Sequence, residues 1–174
     1  MMDIQNWRDV AKEMDDCTYL FLRWIGEPKD NHLRLIIEEA SPQSHRTWIP
    51  PIESSPEIAD ILAGASPIES DSKSRLFEVS YEDYISYTVM NESYGKFPEP
   101  PELFTGKLFR EFQWSYLLEW TRKVSYASDD HPGPGILQHH EIACLNHVID
   151  VITTRPPNLT LIERENSTEP QLLH

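Results

Sequence analysis

The chain has 174 residues, long enough for one domain that buries roughly 70% of the surface its unfolded form exposes, with no need of a disulfide or metal staple. Its 15 Lys and Arg against 29 Asp and Glu leave a formal charge of −14, which disfavours tracking a phosphate backbone or lying on an anionic membrane. The hydrophobic share of 39% is modest, yet an aromatic content of 10% with five Trp is too high for a disordered chain.

Asp3 is placed to cap a first helix, because Ile4, Trp7, Val10, Ala11 and Met14 recur at helical spacing. Residues 17–25 (CTYLFLRWI) are aromatic and branched at nearly every position, which predicts a strand covered on both faces. Gly26 to Asn31 reads as a turn. Residues 32–40 (HLRLIIEEA) then set Leu33, Leu35 and Ile37 against Arg34 and Glu38, so they are expected to return antiparallel to the first strand. Residues 41–74 change character, with Pro42, Pro50, Pro51, Pro56 and Pro67 among many Ser residues. Proline at this density cannot supply the hydrogen bonds of a central strand. Trp48, Ile49, Ile52 and Ile58 make the segment a packed proline-rich excursion instead of a free linker.

Strand character resumes in residues 75–91, with Glu82-Asp83 as a tight turn between LFEVSY and YISYTVM. After a loop at Pro98, Pro100 and Pro101, residues 107–112 read as a strand. Ser115 is placed to cap a helix near 115–124, on which Tyr116, Leu117, Trp120 and Val124 form the face expected to pack on a sheet. HPGPG at 131–135 is a rigid loop. Residues 136–144 form a further strand, 146–152 a turn or helical piece, and Leu159, Leu161 and Ile162 a last apolar run before a polar tail at 163–174. The expected fold is a single α+β domain, mainly an antiparallel sheet with a packing helix at 115–124 and a short N-terminal helix.

No apolar run approaches the ~20 residues of a membrane helix, and the N-terminus MMDIQNWRDVAKEMDD lacks the apolar core of a signal peptide. Cys17 and Cys144 form no CxxC pair, so two reduced, buried thiols in a cytoplasmic protein are expected. Chemistry-bearing groups are sparse. His139, His140, Glu141, Cys144 and His147 include every residue type a zinc site uses, but on a strand His139 and His140 point to opposite faces, and the HExxH pattern is absent. Glu92, after Asn91, is the acid that could work with His140. A GxSxG turn, a GxGxxG loop and a Walker pattern are all missing, and the surroundings of Cys144 favour a thiol over a thiolate. No cofactor is expected.

The stretches YEDYISYTVMNESYG (81–95) and HHEIACLNHVIDVITTRPP (139–157) resemble segments of uncharacterised bacterial proteins; the resemblance implies a bacterial origin and carries no catalytic residue. Three readings follow. The first is a non-enzymatic acidic protein that neutralises or regulates a basic protein partner, most concretely a bacterial toxin immunity protein, with Trp48 as apolar anchor and Glu53, Glu57 and Asp60 as steering charges. The second is a metal-assisted hydrolase using His139, His140, His147 and Glu92. The third is a subunit of a larger assembly, with an apolar patch at Tyr81, Tyr84, Tyr87 and Tyr94.

Overall fold

Asn6 starts the first element. Its side-chain oxygen accepts the Arg8 amide at 3.2 Å, satisfying one of the donors that a helix start leaves unpaired. A computed structural model describes residues 6–43, 66–127 and 135–164, and within them α1 runs Trp7–Asp15. The cap is therefore Asn6; Asp3 and Ile4 lie outside the described residues. Val10, Ala11 and Met14 are buried as their spacing predicts, with Trp7 packed beside them.

The α+β, mainly antiparallel class is what the described residues form, but in two sheets where a single one was expected. In the first, β1 (Tyr19–Lys29), β2 (His32–Pro42), β4 (Leu76–Glu82) and β10 (Asn158–Ile162) run in the order β1-β2-β4-β10, with β3 (Ile68–Glu69) paired to the end of β2. In the second, β5 (Ser86–Asn91), β6 (Leu103–Thr105), β7 (Phe109–Trp114), β8 (Gln138–Ala143) and β9 (His147–Thr153) run in the order β5-β9-β8-β7-β6. Leu20, Leu33, Leu35, Ile37, Phe77 and Val79 from the first sheet meet Ile142, Ile149 and Val151 from the second in one buried cluster, which α1 joins through Val10 and Met14. Each such side chain contributes about 1.5–3 kcal/mol relative to exposure.

The turn at Glu82-Asp83 exists, with Asp83 at φ 54° and paired with Arg155 at 2.9 Å. It does not close a hairpin. It carries the chain from β4 in one sheet to β5 in the other. Between β1 and β2 the turn is tighter than its six-residue signal, because the strand runs on to Lys29 and only Asp30 and Asn31 reverse the chain, Asn31 at φ 58°. Among the described residues the outer face of β1 is covered by guanidinium groups: Arg23 lies 4.9 Å over Phe21, and Arg34 lies 5.7 Å over Trp24. Residues 146–152, read from sequence as a turn or helical piece, fall almost wholly on strand β9, His147–Thr153. Its inward Ile149 and Val151 and its outward Ile152 are all buried, so cover on both faces blurs the alternation that Asp150 alone marks.

The feet of the proline-rich excursion pair with each other. Ser41 and Pro42 face Glu69 and Ile68, and the buried Gln43 donates to the carbonyls of Ser41 and Glu69. At the other end of the core, Asp15 accepts the amides of Leu108 and Phe109 at 2.7 and 2.8 Å, fixing the end of α1 to the start of β7. Gly106 permits that approach: its φ is +90°, and a Cβ there would stand 2.0 Å from the Phe109 carbonyl oxygen.

Candidate functional site

The histidines of the metal reading do not meet. His139 stands on the outer face of the second sheet and His140 on the face toward the first, while His147 begins the next strand. His140 pairs with Val151, four residues from His147, a separation of about 13 Å along β9. Glu92 is exposed in a short turn (Glu92–Tyr94) that follows β5 and makes no contact with His140. Among the described residues, no group of three or more His, Cys, Asp or Glu side chains could hold a metal ion.

His140 is instead a core side chain. It is fully buried among Trp7, Tyr81 and Phe109, with ring centroids 5.7, 5.8 and 5.5 Å away. Among the described residues neither ring nitrogen has a hydrogen-bond partner, and neither does the Tyr81 hydroxyl. Burial, with smaller contributions from His139 and Arg8, lowers the imidazole to about 3, so it stays neutral. Burial likewise pushes the thiols of Cys144 and Cys17 up to about 12, which removes both as nucleophiles.

His139 belongs to an array that sequence reasoning did not find. The Thr88 hydroxyl donates to Asp150 Oδ2 at 3.0 Å, and His139 Nε2 lies 3.0 Å from Asp150 Oδ1. His139 Nδ1 lies 2.8 Å from Ser115 Oγ, which accepts the Leu118 amide at 3.1 Å. A carboxylate only accepts, so Nε2 carries the proton and Nδ1 accepts from the Ser115 hydroxyl. The order Ser, His, Asp is that of a hydrolytic triad. Ser115, however, is 0% exposed and its oxygen is committed to capping α2 (Tyr116–Val124). No substrate carbonyl can reach it. The array fixes the helix to β8 and β9, with His139 stacked 4.3 Å from Phe112.

Next to it on the same face, Arg110 and Glu141 form a buried ion pair directly across β7 and β8. Burial pushes the Glu141 carboxyl up, and the Arg110 charge works against that shift. The guanidinium also lies 4.7 Å over Phe97 and 5.4 Å over Phe104. Glu92, Lys96, Phe97 and Arg110 line a cleft of about 250 Å³, below the range of ordinary small-molecule pockets. A second cleft of about 340 Å³ lies beside Trp7, Glu82, Arg155 and Asn158.

Apolar exposure is one-sided. Every exposed large apolar side chain of the described residues belongs to the second sheet, to α2 or to their loops, except Leu161 on β10. Three of them, Tyr116 (61%), Trp120 (54%) and Val124 (57%), form a stripe along α2. This corrects the expected packing face. The helix buries Leu118 and Thr121, and Leu117 packs half-buried against the same small core of Ala127, Leu137 and Ile152. The tyrosine patch of the assembly reading does not form. Tyr81 is buried, Tyr84 and Tyr87 pack on the core with their hydroxyls directed at Glu27, and Tyr94 alone of the four is largely exposed. Trp48, Glu53, Glu57 and Asp60 lie outside the described residues. No helix among the described residues is long and apolar enough to cross a membrane.

Comparison with known protein families, with curated proteins and with solved structures finds no match. The resemblance of residues 81–95 and 139–157 to bacterial sequences gains no support from it.

Proposed function

We infer that the protein is a non-enzymatic binding module that docks a basic protein partner through the helix side of its second sheet. The observation that carries this is the apolar stripe Tyr116, Trp120 and Val124, which lies outside the core although the same helix already buries Leu118 and Thr121. A helix apolar on two faces is suited to covering two surfaces, and large aromatics in the open are typical anchors of protein interfaces. The partner's sign follows from the charge of −14, which steers a basic protein in and repels an acidic one. Two free, buried cysteines fit a reducing cytoplasm. In its most concrete form the partner is a bacterial toxin and this chain its immunity protein, with Trp48, Glu53, Glu57 and Asp60 as further contacts.

The test is affinity capture of the tagged full chain from its own cells at low salt, alongside a Trp120→Ala variant, with the retained protein identified and its charge determined. A basic protein held by the wild type and lost from the variant is expected. An acidic partner, a nucleic acid, or equal retention by both chains overturns the reading.

A further inference from the structure

Each sheet has two outer strands, and among the described residues β5 presents the longest regular edge with no partner strand. The β1 edge is occupied near its start: the Leu145 amide donates to the Leu20 carbonyl at 2.8 Å, and the Asn146 side chain bonds both the amide and the carbonyl of Leu22. Further along, β1 is broken by register shifts and carries Pro28 and Lys29. These are devices that discourage pairing. The opposite outer strand of the same sheet, β10, is five residues long and packs against α1. In the second sheet β6 is three residues long.

β5 is different. It pairs with β9 in unbroken register over all six of its residues, SYTVMN, and no described strand pairs with its other side. It contains no charge, no proline and no bulge. Thr88, Val89, Met90 and Asn91 are exposed. Alternate amides and carbonyls of such a strand face outward, ready to accept another strand.

We propose that β5 is a strand-addition site that takes an extended, basic segment of the protein partner. This deepens the binding reading above and rests on it. Charge decides between the two strands that could pair there. A second copy would bring −14 toward −14, whereas a basic segment is drawn in and finds the exposed Glu92 directly after β5. Main-chain hydrogen bonds supply the affinity, and the open face at Met90 meets alternate side chains of the added strand.

The probe is a synthetic peptide of alternating lysine and valine, about eight residues long to span β5, added to the isotope-labelled full chain at low salt. Backbone amides of residues 86–91 are followed by NMR for shift and for exchange with deuterated solvent. The expected result is slowing of the outward-facing β5 amides by about tenfold or more. The same peptide N-methylated at alternate residues, with its charge unchanged, should bind about tenfold more weakly, and Met90→Lys should weaken the unmodified peptide. Equal binding of both peptides, or their failure to bind, overturns strand addition. So does protection of β5 that grows with protein concentration alone, which would mark a second copy. Shifts centred on α2 instead of β5 would overturn strand addition while leaving the basic-partner reading standing, and the capture experiment decides that reading separately.

Discussion

His140 is the side chain whose burial costs the fold most plainly, since two ring nitrogens and the neighbouring Tyr81 hydroxyl are enclosed without partners among the described residues. The consequence is a defined pH dependence. In the unfolded chain the imidazole takes up a proton near 6.5, and in the fold only near 3. Between those values the unfolded state binds more protons, so this group's contribution is constant above about pH 6.5 and is lost as pH falls toward 3. Glu141, whose carboxyl is raised by burial, acts with the opposite sign. His140→Phe should therefore flatten the acid limb of a urea-midpoint series and leave neutral-pH stability equal or higher by about 1 kcal/mol. An unchanged acid slope would contradict this. Ser115→Ala removes the α2 cap and the donor to His139 Nδ1 together, and should cost about 1–3 kcal/mol by the same measurement. The cap at Ser115 was legible because a lone Ser precedes a periodic run. The link from His139 to Asp150 was not, because it depends on the pairing of β8 with β9, which no local pattern states.

At the scale of elements, the roll of α2 shows where periodicity stops being informative. Tyr116, Trp120 and Val124 form as good a stripe as Leu117, Leu118 and Thr121, and it is the tertiary surroundings, the tie from Ser115 to His139 among them, that set the second stripe against Ile152 and Leu137. Strand β9 was hidden for a related reason: covered on both faces, it blurs the alternation by which β2 is recognised. The β7 and β8 pairing brings its own prediction. Arg110→Met leaves the buried Glu141 carboxylate unpaired and should cost about 3–5 kcal/mol, while adding Glu141→Leu should restore most of that loss. Denaturant midpoints of both variants decide it, and a double variant as unstable as the single one would contradict the assignment.

For the molecule as a whole, composition and strand patterning were enough for the α+β antiparallel class, because the first halves of β2 and β4 alternate and the turn at Asp30-Asn31 is short. The division into two sheets was beyond them. β4 and β5 are neighbours in sequence but join different sheets, and β10 returns from the end of the chain to pair with β4. The one-sided exposure of apolar residues is a product of that division and could not be read before it. The functional account rests on this asymmetry together with the net charge, the one supplying anchors and the other long-range attraction. Surface plasmon resonance with the captured partner separates the two contributions, using wild type and Trp120→Ala between about 0.01 and 0.15 M salt, over which the Debye length shrinks from roughly 30 to 8 Å. The account predicts association that slows with salt equally for both chains, and dissociation about tenfold or more faster for Trp120→Ala. Association indifferent to salt, with dissociation unchanged by the substitution, would contradict it.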